Sequence, residues 1–361
     1  MNSGKTEVHI HWQPISELLE RKNEGHMPMP GFDEEFQDIV DYIIKITHRI
    51  WEQKNAGLCY RYYSDHCPVH TLAGYSDNVE DVVQGTLDTM AAYPDRTLIG
   101  ENVVWAPHGE KGYYSSHRIT SVMTHSGPSE FGPATGRMGR VTTIADCICE
   151  NNRVEYEWLM RDNSFMVKQL GLDPIEVAEQ LARAPRHPDF QPWWNNEYKR
   201  VSGLDHRTEV QPGGEPVDGE IFARAWIQRL FNLKLFGDIT AFYQPNARVE
   251  WPGGRHVIGL RGITGTFIQW LSQFTGARVS CDHIAVTPFD QHSTDIAIRW
   301  TLAGRFATRN PALERFSGMP ALVMAGSHLR VVAGRISQEW TVFDELALMS
   351  NLFRQANDDR A

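Results

Sequence analysis

The chain has 361 residues, a formal net charge of −10 and a hydrophobic content of 41%. These values are typical of a globular protein with room for two domains, each able to bury its own core. The negative charge and the lack of a Lys/Arg cluster argue against binding to nucleic acid or to an anionic membrane surface. No apolar run approaches the roughly 18 residues that cross a bilayer, so we expect no membrane partner.

The start of the chain and its cysteines indicate the compartment. Residues 1–7 contain no apolar stretch of the kind found in signal peptides. The five cysteines form no CxxC motif, and their odd number does not suggest a disulfide framework. We therefore expect reduced thiols and a cytoplasmic location.

The first half of the chain predicts helices followed by strands. Residues 1–32 predict a polar N-terminal arm with one short helix near Ile15–Arg21. Apolar spacing then predicts helices over Asp33–Glu52 and Asn78–Tyr93. Alternating patterns predict four strands, over Leu98–Trp105, Lys111–Thr124, Arg137–Glu150 and Arg153–Asp162.

The second half predicts the same order of elements. Residues 171–217 predict an inter-domain linker with a helix over Pro174–Arg183 and a flexible part at Gln211–Pro216. The following pattern predicts helices over Gly219–Leu235 and Leu260–Phe274, and strands over Ala277–Thr287, Asp295–Phe306, Ala321–Val332 and Arg335–Phe343. Residues 355–361 form a C-terminal tail. Helices followed by antiparallel strands in each half predict an α+β fold.

The two halves also match in sequence. Asn152–Asp162 matches Gly334–Asp344, with Arg, Glu, Trp and Asp in register at a spacing of 182 (335 − 153 and 344 − 162). A period this long indicates a duplicated domain rather than a solenoid repeat of roughly 20–50 residues. We assign the two copies to residues 33–170 and 218–354.

Helices followed by a curved antiparallel sheet that closes with Arg-x-x-x-Glu-Trp-x-x-x-Asp resemble the SnoaL-like polyketide cyclases. These proteins belong to the nuclear-transport-factor-2-like superfamily. The resemblance implies two cone-shaped α+β barrels fused in one chain, which form an internal pseudo-dimer and leave a homo-oligomer open. Relatives include cyclases, isomerases, dehydratases, epoxide hydrolases and non-catalytic binding proteins.

The resemblance implies an acid/base role for Asp344 and, at the matching position, for Asp162. A carboxylate at the apolar end of a pocket has a raised pKa, which suits proton transfer next to an activating group. Each Asp also precedes a predicted helix, so the alternative is that it only caps that helix.

Histidines and arginines on the predicted strands are further candidates. His117 and His125 lie eight residues apart and therefore on one strand face, where they could pair with Asp162 or be structural. His328 shares its strand parity with Arg330, so we also consider it a pocket residue.

Arg118 and Arg299 lie in mid-strand, where a charge needs a partner. They bind an anionic substrate group or pair with Glu157 and Glu339. Aromatic residues are expected to wall the pockets or fill the cores, and the substrate-binding candidates among them are Tyr62, Tyr63, Trp105, Tyr113, Trp158, Tyr243, Trp251 and Trp340.

The sequence therefore predicts a cofactor-independent enzyme of carbon–carbon lyase, cyclase or isomerase type. Its substrate is a small aromatic or cyclic molecule with a carbonyl or hydroxyl group. We expect no metal, because HExxH is absent and Pro68 breaks the helical spacing of His66 and His70. We expect no nucleotide cofactor, because neither a P-loop nor GxGxxG occurs.

Two other functions remain open from the sequence. An epoxide hydrolase-like enzyme would use Asp-activated water, and it would need Asp146 or Asp295 near Asp162 or Asp344. A non-catalytic module that binds a small molecule or a protein would have plugged pockets, with both Asp residues serving only as helix caps.

Overall fold

The computed structural model describes residues 27–205 and 218–358. The predicted helix at Ile15–Arg21, the flexible part of the linker at Gln211–Pro216 and the last three residues lie outside the described residues. The described chain divides into two units. The first holds residues 27–71, 75–161 and 166–171, and the second holds the rest.

The first unit is built on a six-stranded sheet in the order β2-β1-β6-β5-β4-β3. Its strands are β1 (Val69–His70), β2 (Tyr75–Ser76), β3 (Thr97–His108), β4 (Gly112–Thr124), β5 (Met138–Glu150) and β6 (Arg153–Arg161). The last four form the predicted antiparallel run. β1 pairs in parallel with β6, so the sheet is mixed rather than purely antiparallel. β1 and β2 have two residues each and are too short to show a periodic pattern.

Helices cover the side of this sheet that faces the first-unit core. The main ones are α1 (Ile39–Thr47), which continues as a π-helical turn over His48–Glu52, α2 (Cys59–Tyr62) and α3 (Val79–Ala92). α1 begins later than the predicted Asp33, because the side chain of Asp38 accepts a hydrogen bond from the Asp41 N–H and caps the helix. After β6 comes α4 (Asn163–Gln169).

The second unit repeats this plan, with a six-stranded sheet in the order β8-β7-β12-β11-β10-β9. Its strands are β7 (Tyr243–Trp251), β8 (Arg255–Ile258), β9 (Phe274–Pro288), β10 (Ser293–Phe306), β11 (Pro320–Val332) and β12 (Arg335–Phe343). Its helices are α5 (Pro174–Leu181), α6 (Phe190–Ser202), α7 (Gly219–Trp226), α8 (Ile239–Phe242), α9 (Leu260–Leu271) and α10 (Glu345–Asp358). The predicted α+β fold, duplicated in one chain, is confirmed.

The last hairpin of each sheet has a two-residue turn. Asn151 and Asn152 have φ values of 47° and 67°, and Ala333 and Gly334 have 48° and 75°. Two successive residues with positive φ match the right-handed twist of the flanking strands. These turns join the last two strands of each sheet as tight hairpins, and they fix the register of β5 with β6 and of β11 with β12.

Strand alternation divides each sheet into two faces. In β6, Glu157 and Arg161 face the helices of the first unit, and Trp158 lies on the opposite face. We call the helix-facing side the inner face and the other side the outer face. No helix in the described part of the chain is long and apolar enough to cross a membrane.

Candidate functional site

A cavity of about 250 Å³ lies inside the first unit, between the inner face of the sheet and helices α1 and α3. Ile43, Ile46 and Ile50 contribute an apolar wall from α1 and the turn that extends it. Leu98 lines the cavity from β3. The cavity is slightly smaller than typical pockets for drug-sized ligands, which occupy about 300–1,000 Å³. It suits a small ligand with an apolar body.

Three rows of paired residues form the sheet side of the cavity. They are Ser115, Cys147 and Glu157, then His117, Ala145 and Leu159, then Ile119, Thr143 and Arg161. Glu157 and Arg161 are four residues apart on β6, which separates their Cα atoms by about 13 Å. The polar groups of the cavity are therefore spread along its length.

Glu157 is the buried carboxylate of this cavity. Glu157 is 7% exposed, and the Tyr63 hydroxyl donates a hydrogen bond of 3.3 Å to Glu157 Oε2. Burial raises the pKa of Glu157, although the positive charge of Arg161 and the bond from Tyr63 oppose this rise. A carboxylate whose pKa is moved toward neutrality can both accept and donate a proton under physiological conditions.

His117 forms part of the cavity wall and is 3% exposed. Burial, assisted by the positive charge of Arg118, lowers the pKa of His117 to about 3, so the ring is neutral at pH 7. Its Nε2 has no hydrogen-bond partner among the described residues and lies beside Gly100. His117 therefore lies at the cavity as a neutral wall residue, and its predicted place in an acid/base set stays a prediction.

Two arginines line the cavity beyond His117. The Arg161 guanidinium makes no hydrogen bond or ion pair with the described residues, and its Nε is buried. Arg96 stacks on the Trp51 ring at 4.4 Å from the ring centroid and donates from Nε and Nη2 to the Ser121 hydroxyl, both at 3.2 Å. Burial, together with the like charge of Arg161, lowers the pKa of Arg96 to about 9.

The second unit places Glu339 at the position that Glu157 occupies in the first. Glu157 is paired with Val69 in β1, and Glu339 is paired with Val249 in β7. Glu339 is fully buried and accepts three short hydrogen bonds, from Tyr243 Oη at 2.5 Å, Trp251 Nε1 at 2.6 Å and Thr341 Oγ1 at 2.7 Å. Both of its oxygens are therefore committed to protein donors.

Aromatic rings fill the interior of the second unit. Trp300 and Phe343 flank Ala325 in one row of the second sheet. In the first sheet, the equivalent row has Ile119 and Arg161 on either side of Thr143. Trp251 takes the place of Thr71 in the same way. Trp251 comes directly after the β7 residue that pairs with Trp340, and Thr71 comes directly after the β1 residue that pairs with Trp158. The aromatic ring centroids lie close together, with Trp251 to Phe343 at 5.9 Å and Trp300 to Phe343 at 6.4 Å. Smaller or polar residues at these three positions leave the cavity open in the first unit.

Asp162 and Asp344, the two predicted acid/base residues, lie at the starts of helices. Asp162 Oδ1 accepts from the Phe165 N–H at 3.1 Å, and both of its oxygens accept from the Gly253 N–H at 2.9 Å. Asp344 Oδ1 accepts from the Ala347 N–H at 2.9 Å, and its Oδ2 accepts from Asn163 Nδ2 at 2.6 Å. Neither lines the cavity, and the helix-cap alternative describes both.

The other two predicted histidines also lie outside the cavity. β4 ends at Thr124, so His125 does not share a strand face with His117. Its Nε2 lies 2.9 Å from the Ser129 hydroxyl, and its ring stacks on Tyr93. His328 is buried in β11 on the outer face, because the adjacent Ser327 points inward and bonds Trp300.

One alternative from the sequence was that the shared arginines pair with the shared glutamates. The strand faces separate them instead. Arg118 forms an ion pair with Glu101 on the outer face, and Glu157 lies on the inner face. Arg299 shares its β10 face with Thr301, which bonds Asp282. The two side chains at each shared Arg and Glu position point away from each other across the sheet.

The candidate aromatic residues fall into three groups. Tyr63 lines the cavity, and Tyr243 and Trp251 hold Glu339 inside the second unit. Tyr62 is buried in the core and accepts a bond from Arg49, while Trp105 and Tyr113 pack edge to face. The outer faces hold the remaining two, Trp158 against Tyr156 and Trp340 near Arg330.

Sequence reasoning did not single out Glu157, Arg161 and Arg96 as pocket residues. A signal for the first two was present. Glu157 and Arg161 have the same parity on β6, and this parity is opposite to that of Trp158. Nothing in the local pattern around Arg96 marks it as a cavity residue, because it lies in the turn before β3.

No protein-family model matches the chain, and no curated protein matches it in sequence. Similar solved structures include IdmH from Streptomyces antibioticus, for which polyketide cyclase activity is proposed. It is 20% identical over 37% of this chain and 98% of its own, with a TM-score of 0.32. TsrD from Streptomyces laurentii is 17% identical over 37% and 94%, with a TM-score of 0.32. A SnoaL-like protein from Jannaschia sp. CCS1, also proposed as a polyketide cyclase, is 11% identical over 37% and 94%, with the same TM-score. The solved structures similar to this chain thus include SnoaL-like polyketide cyclases, and the likeness is one of fold.

Proposed function

We propose that the chain is a cofactor-independent acid/base enzyme whose reaction takes place in the first unit, with Glu157 as the residue that accepts and returns a proton. One contrast supports this proposal. Glu157 faces an open cavity and receives one long hydrogen bond, whereas Glu339 at the equivalent position receives three short ones. Burying a carboxylate without full hydrogen bonding lowers the stability of the folded state, so a structural role alone does not account for Glu157.

The reaction class follows from the groups around Glu157. The Glu157 carboxylate takes a proton from a carbon next to a substrate carbonyl, and the C–H electron pair moves into an enolate whose charge lies on oxygen. The Ser115 hydroxyl, in the same row of the sheet, is a donor for that oxygen. Return of the proton to another carbon completes an isomerisation. In a ring closure, the enolate carbon instead attacks a second carbonyl, and the alkoxide that forms takes the proton back from Glu157.

The cavity also limits the substrate. Its apolar wall from α1 and its size suit a molecule with a single ring or a short conjugated chain that carries a carbonyl or hydroxyl group. In this proposal the second unit has a structural role, because its interior is occupied by its own side chains. The pseudo-dimer, the homo-oligomer and the cytoplasmic location stay predictions.

The hydrolase alternative is less well supported, because the carboxylates that it needs have other hydrogen-bond or ion-pair partners. Asp146 is hydrogen-bonded to the Tyr114 hydroxyl, and Asp295 forms an ion pair with Arg330 at 2.9 Å. Neither is among the partners of Asp162 or Asp344 described above. The binding-module alternative receives partial support from the aromatic interior of the second unit and from the two helix caps, so the test must separate it from catalysis.

Hydrogen–deuterium exchange at carbon tests the proposal without knowledge of the natural substrate. Small ketones (cyclohexanone, acetophenone and 4-oxopentanoate) are incubated with the protein in D₂O, and loss of the α C–H signal is followed by proton NMR. We expect catalysed exchange for at least one ketone, and a loss of about 10²–10⁴-fold in the Glu157→Gln variant.

The matched control is Glu339→Gln, which changes the same chemical group in the second unit and is expected to retain exchange. Failure of the wild-type protein to exchange any of these ketones would contradict the acid/base proposal and favour the binding module. Exchange at the wild-type rate by Glu157→Gln would exclude Glu157 as the proton-transfer residue.

A further inference from the structure

The fold of the first unit does not require a charge at Arg161. Phe343 occupies the equivalent position in the second unit and packs there among other aromatic rings. A guanidinium in a half-buried, partly apolar setting is unfavourable unless it is paired. In the described part of the chain, Arg161 has no hydrogen-bond or ion-pair partner. This side chain is therefore available to a ligand.

A second guanidinium strengthens the positive charge at this end of the cavity. Arg96 is 7% exposed, stacks on Trp51 and donates a hydrogen bond to Ser121. The like charge of Arg161 helps to lower the pKa of Arg96. Two like charges that share a buried region are stabilised by an anion that binds between or beside them. Because the two side chains come from different parts of the chain, this arrangement depends on the folded structure.

The remaining ionisable groups of the cavity do not neutralise both arginines. Glu157 is the buried carboxylate, and it lies two rows away along β6. Asp81 lines the cavity from the first turn of α3, where it is exposed and accepts from Asn78 Nδ2. His117 is neutral, and the thiols of Cys59 and Cys147 are protonated because burial raises their pKa. Outside the cavity lining, Glu52 and Glu130 act electrostatically on Arg96, and Arg161 acts on Glu157. Arg161 makes no direct ion pair among the described residues, so its guanidinium is the one left to bind an anion.

We propose that Arg161, supported by Arg96, binds a carboxylate group of the substrate, so that the enzyme acts on a small organic acid. This inference rests on the proposed function in placing the reacting carbon at Glu157, on the other side of the His117 row. The guanidinium fork matches the two oxygens of a carboxylate. A monoanion also fits a cavity that already contains the carboxyl group of Glu157 better than a phosphate dianion does.

Isothermal titration of the full-length protein with benzoate tests the inference, with benzamide as the neutral molecule of the same shape. We expect benzoate to bind and benzamide to bind at least tenfold more weakly. Arg161→Met is expected to reduce benzoate affinity at least tenfold, and Arg161→Lys to retain part of it. The control Arg183→Met removes an exposed arginine that follows the end of α5, and it is expected to leave the affinity unchanged.

The folded state of each variant is checked by its thermal unfolding transition. A methionine is expected to be tolerated at residue 161, since the second unit has an apolar residue at that position. Absence of benzoate binding, equal binding of benzamide, or unchanged affinity in Arg161→Met would overturn the inference. Preferential binding of inorganic phosphate would overturn the choice of carboxylate.

The outcome is separable from that of the proposed function. Glu157→Gln removes a negative charge from the cavity, so this variant is expected to bind benzoate at least as tightly as the wild type. If ketone exchange fails while Arg161-dependent benzoate binding persists, the anion site stands and the acid/base role of Glu157 falls. If exchange depends on Glu157 but benzoate does not bind, the acid/base role of Glu157 stands and the anion site falls.

Discussion

Replacing Glu157 or Glu339 with Gln exchanges a carboxylate for an amide at equivalent positions of the two units. At Glu339, a Gln oxygen can still accept from Trp251 and Thr341. Its amide N–H group, however, then faces the Tyr243 hydroxyl, which already accepts a bond from Trp226 Nε1 at 2.9 Å. The Tyr243 proton is left without an acceptor in a fully buried site. Leaving one buried donor unpaired costs about 1–3 kcal/mol, and loss of a bond to a charged group costs a similar amount.

At Glu157 the same substitution removes only the 3.3 Å bond from Tyr63, worth about 1 kcal/mol. It also removes a carboxylate that burial disfavours in its ionised form. Because the folded state raises the pKa of Glu157 above its usual 4.5, the folded protein binds this proton more tightly than the unfolded chain does. The carboxylate therefore lowers stability as pH rises through the raised value, and Gln abolishes this loss.

We expect Glu339→Gln to lower the free energy of unfolding by about 2–4 kcal/mol at pH 7, and Glu157→Gln to change it by less than about 1 kcal/mol. Urea denaturation followed by tryptophan fluorescence and by circular dichroism measures both variants against the wild type. If Glu157→Gln is as destabilising as Glu339→Gln, Glu157 is a structural residue, and the reasoning that assigns it a chemical role is refuted.

Three further predictions concern the cavity and the caps. Ile119→Trp places in the first unit the residue that fills the second, so benzoate affinity should fall at least tenfold, and unchanged affinity would contradict the assigned cavity. Ile144→Trp, at a fully buried position on the outer face, should instead destabilise the protein by about 1–3 kcal/mol. His117 has a folded pKa of about 3 against 6.5 unfolded, so the wild type should lose about 2 kcal/mol relative to His117→Gln between pH 7 and 5, measured by urea denaturation; parallel pH profiles would refute this. Asp344→Ala should cost about 0.5–2 kcal/mol and Asp344→Asn less, with ketone exchange retained by both, and loss of exchange in Asp344→Asn would restore Asp344 as a catalytic candidate.

The duplicated α+β fold could be predicted because its signals are local or repeated. Apolar and polar residues alternate along the strands of each unit. The two-residue turns at Asn151-Asn152 and Ala333-Gly334 join strands whose residues pair on either side of the turn. The mixed character of the sheets could not be predicted in the same way. β1 has two residues, and β7 contains Pro245 within an otherwise extended segment, so neither shows a clear strand pattern.

The site was harder to predict because it depends on which unit is open. Thr71, Ile119 and Arg161 are far apart in sequence, and only the strand register shows that Trp251, Trp300 and Phe343 take their places in the second unit. The Asp that follows β6 and β12 drew attention because it is shared by both copies. Its role at a helix start explains that sharing equally well, since each unit begins a helix there.

The most direct test of the central claim is a titration of the Glu157 carboxyl group by carbon-13 NMR in protein labelled at glutamate, with Glu157→Gln to assign the signal. The account predicts that Glu157 titrates above the usual glutamate pKa and that benzoate raises this pKa further, because the anion offsets the positive charge of Arg161. A Glu157 signal that titrates at the ordinary value and does not respond to benzoate would contradict the account.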